Sequence, residues 1–413
     1  MSDDKKPLLI GIVAGEASGD LLGAGLIRAI KEQYPQAQFI GLGGNRMQAE
    51  GFQTLDDMEL LSVMGLVEPL KRLPQLLTLR RRLLAHFIDR QPSVVVAIDA
   101  PDFNLALERK LKSHNIPTCH YVCPSVWAWR QGRVKGIRKS VDHVLALLPF
   151  EVDFLKQHDI KATFVGHPLA EQLSFDGPVV ESELTTQLQA FKQQGPLLCV
   201  MPGSRNSEVQ ALMDVFMDTI AACLQRQPNM RFVIPAASEA LYETLAARLS
   251  EPDIHLIRQR ILLSRGESQL CMQLSDLVLL ASGTATLEAA LLGKPMVVAY
   301  RLAPLSYAVM SRMVKVDYVA LPNLLTDRAY VQEFIQHDIS ADSLSSAVLS
   351  YIEQPALVVE VKNAFRKLHQ QLAQNASQKA AAVVLSLAGC ETAQLKSEQE
   401  PSPTYNDVTD NDF

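Results

Sequence analysis

The chain has 413 residues, of which 48% are hydrophobic and 20% charged, and its formal net charge is −6. That length predicts about two domains, the composition supports a sizeable core and excludes global disorder, and the net acidity excludes a protein that coats nucleic acid through an all-over basic surface. No run of about 18 apolar residues occurs, so no transmembrane helix is expected. The opening MSDDKKPLLIGIV has no cleavable apolar segment, so secretion is not expected either. Cys119, Cys123, Cys199, Cys223, Cys271 and Cys390 are scattered in apolar company, which fits reduced thiols in a cytosolic protein. Cys119 and Cys123 flank His120, but no second ligand pair follows, so no metal site is expected.

The elements alternate along the chain. Apolar runs at Leu8–Val13, Ala37–Gly41, Val94–Ile98, Thr118–Val122, His143–Leu147 and Phe164–Pro168 read as strands, with helices between them, the first over Leu21–Glu32. Continuous apolar strands separated by helices predict a parallel sheet covered on both faces. Glu171–Gln194 is polar and reads as a boundary. The alternation restarts with strands at Leu197–Met201, Phe232–Pro235, His255–Ile257, Leu277–Leu280 and Met296–Ala299. Two Rossmann-like α/β domains facing a central cleft follow, spanning 1–170 and 195–358. Helical patterning over Val359–Leu387 predicts terminal helices (359–390). The remainder, 391–413, carries six acids against one lysine and reads as a disordered acidic tail.

The chemistry-bearing residues cluster where strands end. Gly11-Ile-Val-Ala-Gly15-Glu16-Ala-Ser18-Gly19-Asp20 follows the first strand and opens a helix. Its spacing is not that of a dinucleotide fingerprint. A plain tight turn explains the glycines but not Glu16, Ser18 and Asp20, which the carboxyl ends of parallel strands would turn toward a crevice. Asp99 ends another strand in Asp99-Ala-Pro-Asp102-Phe-Asn104; its alternative role is a helix N-cap, which Asp102 or Asn104 could equally fill. In the second half, Gly203-Ser204-Arg205 and Ser282-Gly283-Thr284 each join a strand to a helix. Free N–H groups, a helix N-terminus and an always-ionised guanidinium favour a nucleotide diphosphate there. Glu288, one turn into the second of these helices, suits ribose hydroxyls.

Charge is uneven. Residues 66–139 carry 14 Lys and Arg against 5 Asp and Glu. Within 66–90, Leu70, Leu73, Leu76, Leu77, Leu83, Leu84 and Phe87 recur at helical spacing beside Lys71, Arg72 and Arg80–Arg82. That pattern suits an interfacial helix on anionic lipid; the plain alternative is a core-facing helix with a solvated basic face. A second basic cluster, including Arg130, follows Trp127 and Trp129.

The segments VAGEASGD, IDAPDFN, HYVCPSVWAWR, PGSR, LLASGTATLEA and DYVALPNLL, in this order from about Leu8 to Leu387, resemble the lipid-A-disaccharide synthase family. The resemblance implies a GT-B glycosyltransferase with its C-terminal helices crossing back to the first domain. It implies a first domain that binds the acceptor and the membrane, and a second that binds the UDP-sugar. The implied donor is UDP-2,3-diacylglucosamine, the acceptor 2,3-diacylglucosamine 1-phosphate (lipid X), and the products a β-1,6 tetraacyl disaccharide 1-phosphate and UDP. The implied location is the cytoplasmic face of the inner membrane of a Gram-negative bacterium.

An α-linked donor and a β product require one inversion, hence a carboxylate base. Asp99 is the first choice for that base and Glu16 the second. Ser18, Asp20, Trp127 and Arg130 are the acceptor-side candidates. Gly203, Ser204, Arg205, Ser282, Gly283, Thr284, Glu288 and, by its match to a family position, Asn323 are the donor-side candidates. Glu333 and Gln336 are weaker candidates for the donor sugar, with helix-surface polars as the alternative, and His167 reads as a hinge-region side chain. No DxD pair is present in either α/β half, so no metal and no cofactor is expected; nucleic acid is not an expected partner, and oligomerisation is left open. Two other functions fit parts of the pattern: a UDP-N-acetylglucosamine 2-epimerase, which shares the architecture, and a non-catalytic lipid-binding scaffold.

Overall fold

The structure is a computed structural model, and it describes residues 8–61, 68–128, 131–302, 307 and 317–390. Arg130, Trp129 and the acidic segment 391–413 lie outside the described residues, as do the side chains of Leu70, Lys71 and Arg72.

The first half runs β1 (Leu9–Ala14), α1 (Ala17–Gln33), β2 (Gln38–Leu42), α2 (Asn45–Ala49), β3 (Gln53–Thr54), α3 (Glu68–Arg90), β4 (Val94–Ile98), α4 (Pro101–Ser113), β5 (Thr118–Tyr121), α5 (Val134–Ser140), β6 (His143–Ala146), α6 (Pro149–Lys156), β7 (Ala162–Phe164) and α7 (Pro168–Gln172). Its strands form one parallel sheet in the order β3-β2-β1-β4-β5-β6-β7. After α8 (Glu183–Lys192) come β8 (Leu197–Met201), α9 (Asn206–Arg226), β9 (Arg231–Ala236), α10 (Glu239–Arg248), β10 (Ile261–Arg265), α11 (Ser268–Leu274), β11 (Leu277–Ala281), α12 (Thr284–Leu291), β12 (Met296–Tyr300), α13 (Leu321–Thr326) and β13 (Gln332–Ile335). These strands form a second parallel sheet, β10-β9-β8-β11-β12-β13. The strand order of each sheet reverses once, between β1 and β4 in the first and between β8 and β11 in the second. In open α/β sheets such a reversal opens a crevice at the carboxyl ends of the strands.

Two elements differ from the sequence reading. His255–Ile257 is a turn region; the strand is Ile261–Arg265, whose Leu262 and Leu263 are only partly buried because β10 is the sheet edge. The last strand of the first half is Ala162–Phe164, since Pro168 starts a helix, as its fixed φ and missing N–H allow at a first helical position.

α3 settles against the first sheet through Leu79, Leu83 and Phe87, which are buried, while Leu73 is exposed. Its apolar stripe is therefore partly a core face. The match is tight: a Cβ on Gly11 of β1 would stand 2.8 Å from a Phe87 ring carbon.

Three helices end the described chain: α14 (Ala341–Glu353), α15 (Pro355–Leu372) and α16 (Ala376–Leu387). The crossing back is shorter than the expectation that all of 359–390 packs on the first half. α15 buries Val361, Phe365, Leu368 and Leu372 in the core of the second half. α16 puts Ala380, Ala381, Val384 and Leu385 into the core of the first, against α1. The His369 ring fixes the junction, with Nε2 2.6 Å from the Ala170 carbonyl oxygen and Nδ1 3.1 Å from that of Leu291. Glu171 accepts the N–H of Ala376 at the head of α16.

Candidate active site

The first sheet brings Glu16 and Asp99 to one place. Ala14 and Ile98 are register partners on β1 and β4, so the two acids lie just past adjacent strand ends at the reversal point. Glu16 is the N-cap residue of α1 but makes no side-chain capping bond. Asp99 is not the cap of α4; that position is Ala100. Asp99 and Ala100 both have positive φ, 51° and 44°, and Val122, beyond the end of the neighbouring β5, has φ 81°. Left-handed backbone costs a non-glycine residue of order 1–3 kcal/mol and persists only where its surroundings hold it. Here the Asp99 N–H donates to the Tyr121 carbonyl at 2.9 Å, and the Asn104 side-chain amide donates to the Asp99 carbonyl at 2.8 Å.

The other acceptor-side candidates divide. Ser18 is exposed on the first turn of α1. Asp20 is buried, and its carboxylate accepts the N–H groups of Gly44, Arg46 and Met47, so it caps α2 rather than facing the crevice. Trp127 is half-buried, meets Phe150 edge-on at 4.8 Å between centroids, and donates through Nε1 to Glu151 at 3.1 Å. Burial pushes the Glu151 carboxyl up to about 8, although the Leu148 N–H and Trp127 pull the other way. Asp102 pairs with Arg133. His167 accepts the Leu169 N–H, donates its own backbone N–H to Leu372, and burial lowers its ring to about 4.

In the second sheet the loops after β8 and β11 also meet at the reversal point, because Met201 and Leu280 are register partners. Arg205, Ser282, Tyr300 and Arg301 line a cavity of about 560 Å³ there. Ser282 donates to the Val319 carbonyl, Gly283 is the N-cap of α12, and Thr284 is its exposed first residue. Glu208, on the first turn of α9, fills the cradle itself. Its carboxylate accepts the N–H groups of Ser204 at 3.0 Å and Arg205 at 3.3 Å, and the Arg205 guanidinium at 2.7 Å. Gly203 is needed beneath it: its φ is +137°, and a Cβ there would lie 2.4 Å from the Glu208 Cβ.

Glu288 accepts from the Gln269 side chain at 3.1 Å, which ties α11 to α12. Asn323 is wholly buried: it donates to Val331 and Glu333 and accepts from the Val331 N–H. Glu333 also takes the N–H groups of Val319 and Ala320, and Gln336 is bonded to both backbone groups of Leu302. Glu333 lies in β13 rather than on a helix, and Gln336 opens a short 3-10 helix. These three shape the segments beside the cavity. Sequence reasoning missed Glu208, Tyr300 and Arg301; Tyr300-Arg301 ends β12, so the strand-end rule applied to Asp99 would have found it. Among the described residues no group of three or more His, Cys, Asp or Glu could hold a metal ion.

The fold has solved relatives. The kitacinnamycin glycosyltransferase aligns with a TM-score of 0.60 at 14% identity, covering 92% of this chain and 99% of that one. The UDP-GlcNAc 2-epimerase from Neisseria meningitidis, in complex with UDP-GlcNAc, aligns with a TM-score of 0.58 at 14% identity, covering 88% and 99%. At such identity these share the GT-B architecture. Sequence relatives are much nearer. The lipid-A-disaccharide synthase of Hahella chejuensis is 48% identical over 383 residues, 93% of this chain and 95% of that protein. The one from Alcanivorax borkumensis is 44% identical over 388 residues, 94% and 99%. The lipid-A-disaccharide synthetase family model matches residues 10–386. With nearly the whole chain matched from the first strand to the last helix, the protein belongs to the lipid-A-disaccharide synthase family.

Proposed function

We propose that the chain is the inverting glycosyltransferase that joins UDP-2,3-diacylglucosamine to lipid X, giving the β-1,6 disaccharide 1-phosphate and UDP. Membership of the family over 10–386 carries this reading. The two strand-order reversals supply what the reaction needs. On the first sheet, Asp99 takes the proton of the acceptor 6-hydroxyl as that oxygen attacks the anomeric carbon. Glu16 beside it orients the acceptor or faces the positive charge that develops on the sugar ring. On the second sheet, Arg205 and the N–H groups of Ser204 and of the α12 terminus neutralise the departing diphosphate. Gly203 and Gly283 permit its close approach, and Glu288 grips the ribose hydroxyls. Ser18, Trp127 and Arg130 serve the acceptor. The first half binds acceptor and the second donor.

A peripheral place on the inner face of the inner membrane follows from lipid substrates on both sides of the reaction. The segment 66–90 suits an anionic surface: Arg81 and Arg82 are exposed on α3, Arg82 while paired with Asp56, and Leu73 is exposed nearer its start. No helix among the described residues is long and apolar enough to cross a membrane.

Purified protein given both lipid substrates in detergent with EDTA, followed by mass spectrometry, tests the reading. The tetraacyl disaccharide phosphate and UDP are expected. No product, with or without Mg²⁺, would overturn it. Sedimentation with vesicles rich in anionic lipid tests the membrane part: loss of binding when Arg80–Arg82 are replaced by Glu is expected, and unchanged binding would contradict it.

A further inference from the structure

The second sheet has a cavity at the end opposite its donor loops. It measures about 470 Å³ and lies at the starts of β8, β11 and β12, where Gly195-Pro196, Ser275-Asp276 and Lys294 lead into those strands. Strands of five residues separate this end from the loops of Arg205 and Ser282 by roughly 16 Å. Three lysines from three segments line the cavity: Lys192 at the end of α8, Lys294 between α12 and β12, and Lys362 on α15. Tyr351 and Ile352 of α14 and Val358 of α15 give it an apolar wall.

The charges around this cavity do not balance. Lys192 is neutralised: its Nζ stands 2.8 Å from Asp276 and donates to the Leu274 carbonyl at 3.0 Å. Asp276 is occupied by that pair and by the Leu197 N–H, which it accepts at 2.9 Å. Asp176, the other acid acting on Lys294, stands 3.7 Å from Arg366. Lys294 and Lys362 are left over. Lys294 is half-buried, and its Nζ donates to the Ser275 carbonyl at 2.9 Å, one of the three bonds an ammonium can make. Lys362 is exposed and has no ion pair or side-chain hydrogen bond among the described residues. Burial, and after it the charges of Lys192 and Lys362, hold the Lys294 amine down at about 8, against the pull of Asp276 and Asp176. Ammonium groups gathered around a cavity repel one another, and an anion between them relieves the repulsion. A purely structural lysine would account for the tie to Ser275. It does not account for a second, unpaired ammonium on the same cavity.

We propose that this cavity is a second anion site, in which Lys294 and Lys362 hold the phosphate group of a small phosphorylated molecule while Tyr351, Ile352 and Val358 cover its organic part. The volume is that of a small-ligand pocket, and lysine binds phosphate as a point charge without a fixed geometry. The site is separate from the transferase chemistry above and stands whether or not that reading does. By joining the start of β12 to α15, the ligand stabilises the second half by mass action.

Competitive labelling of the full-length protein tests this. A trace of acetic anhydride is applied over a range of pH, and mass spectrometry reads each lysine separately, so that binding at the donor loops does not enter the result. The probes are inorganic phosphate and phenyl phosphate, each against sodium chloride at matched ionic strength. The free Lys294 amine is expected to titrate near 8. Either phosphate is expected to protect Lys294 and Lys362 together and to raise the Lys294 midpoint by about one unit. Phenyl phosphate is expected to bind about 3- to 10-fold tighter than inorganic phosphate, because its ring reaches the apolar wall. Lys362→Met changes an exposed side chain and should fold; it is expected to weaken the protection of Lys294 about tenfold. Protection no greater than chloride gives, or protection of Lys294 untouched by Lys362→Met, would overturn the proposal. Phenyl phosphate binding more weakly than inorganic phosphate would overturn the role of the apolar wall.

Discussion

The Asn104 side-chain amide donates to the carbonyl of Asp99 at 2.8 Å, across a strand-to-helix junction in which Asp99 and Ala100 are both left-handed. One amide thereby pins the backbone of the residue proposed as the base. Asn104→Ala should lower kcat about 10- to 100-fold with little change in KM, because the junction relaxes toward ordinary backbone and moves the carboxylate. Stability should fall by about 1–2 kcal/mol. Steady-state kinetics with a denaturant titration checks both; kinetics indistinguishable from the parent would show that the junction holds itself.

The donor cradle already contains an anion. Glu208 occupies the N–H groups and the guanidinium that a diphosphate would use. Substitutions at the two partners of this capping pair should therefore act in opposite directions. Arg205→Ala should weaken UDP binding about tenfold and lower kcat/KM about 10²- to 10³-fold. Glu208→Gln should tighten UDP about 3- to 10-fold, since a neutral amide competes less and repels the phosphates less. Calorimetric titration with UDP reads both.

Much of this was legible in the sequence, for one physical reason. Parallel strands buried on both faces are near-continuous apolar runs, so Val94–Ile98 and Leu277–Leu280 announce themselves, and the residue after each run falls at a crevice. Asp99 is singled out that way, and Arg205 and Ser282 by the strand-to-helix loops that follow β8 and β11. What was hidden depends on partners distant in sequence. Asp20 looks like a crevice acid until the N–H groups of Gly44, Arg46 and Met47 claim it. Asn323 and Glu333 read as separate polar residues until the fold brings the amide of one onto the carboxylate of the other. His120 sits between two cysteines and suggests nothing until Glu108, twelve residues earlier, is folded against it. The edge strand Ile261–Arg265 is missed because its apolar run, Ile261–Leu263, is only three residues long before Ser264 and Arg265.

The Glu151 carboxyl, raised by burial to about 8, gives a pH effect with a definite sign. Between the ordinary carboxyl range and about 8, the folded state keeps a proton that the unfolded chain has released. Stability contributed there is lost as pH rises across that window. Glu151→Gln should flatten this dependence and raise Tm at pH 8. In a Trp129→Phe background, Trp127 fluorescence should titrate with a midpoint near 8 and cease to do so in Glu151→Gln. A flat fluorescence profile in the parent would contradict the shift.

α16 completes the first half although it lies beyond the second. Val384 is wholly buried there. Val384→Asp places an unpaired charge in that core and should cost of order 3 kcal/mol or more. Limited proteolysis should then cut the first half before the second; equal resistance of both halves would contradict the division of the cores between α15 and α16.

The central claim is that the acid at the end of β4, rather than the one at the end of β1, takes the acceptor proton. Single-turnover transfer from UDP-2,3-diacylglucosamine to lipid X by Asp99→Ala and Glu16→Ala, both saturated with substrates, measures this most directly. The account predicts a loss of about 10²- to 10⁴-fold for Asp99→Ala, with its acid limb abolished, and a smaller loss with the limb retained for Glu16→Ala. Near-normal transfer by Asp99→Ala, or an acid limb that vanishes only in Glu16→Ala, would contradict it.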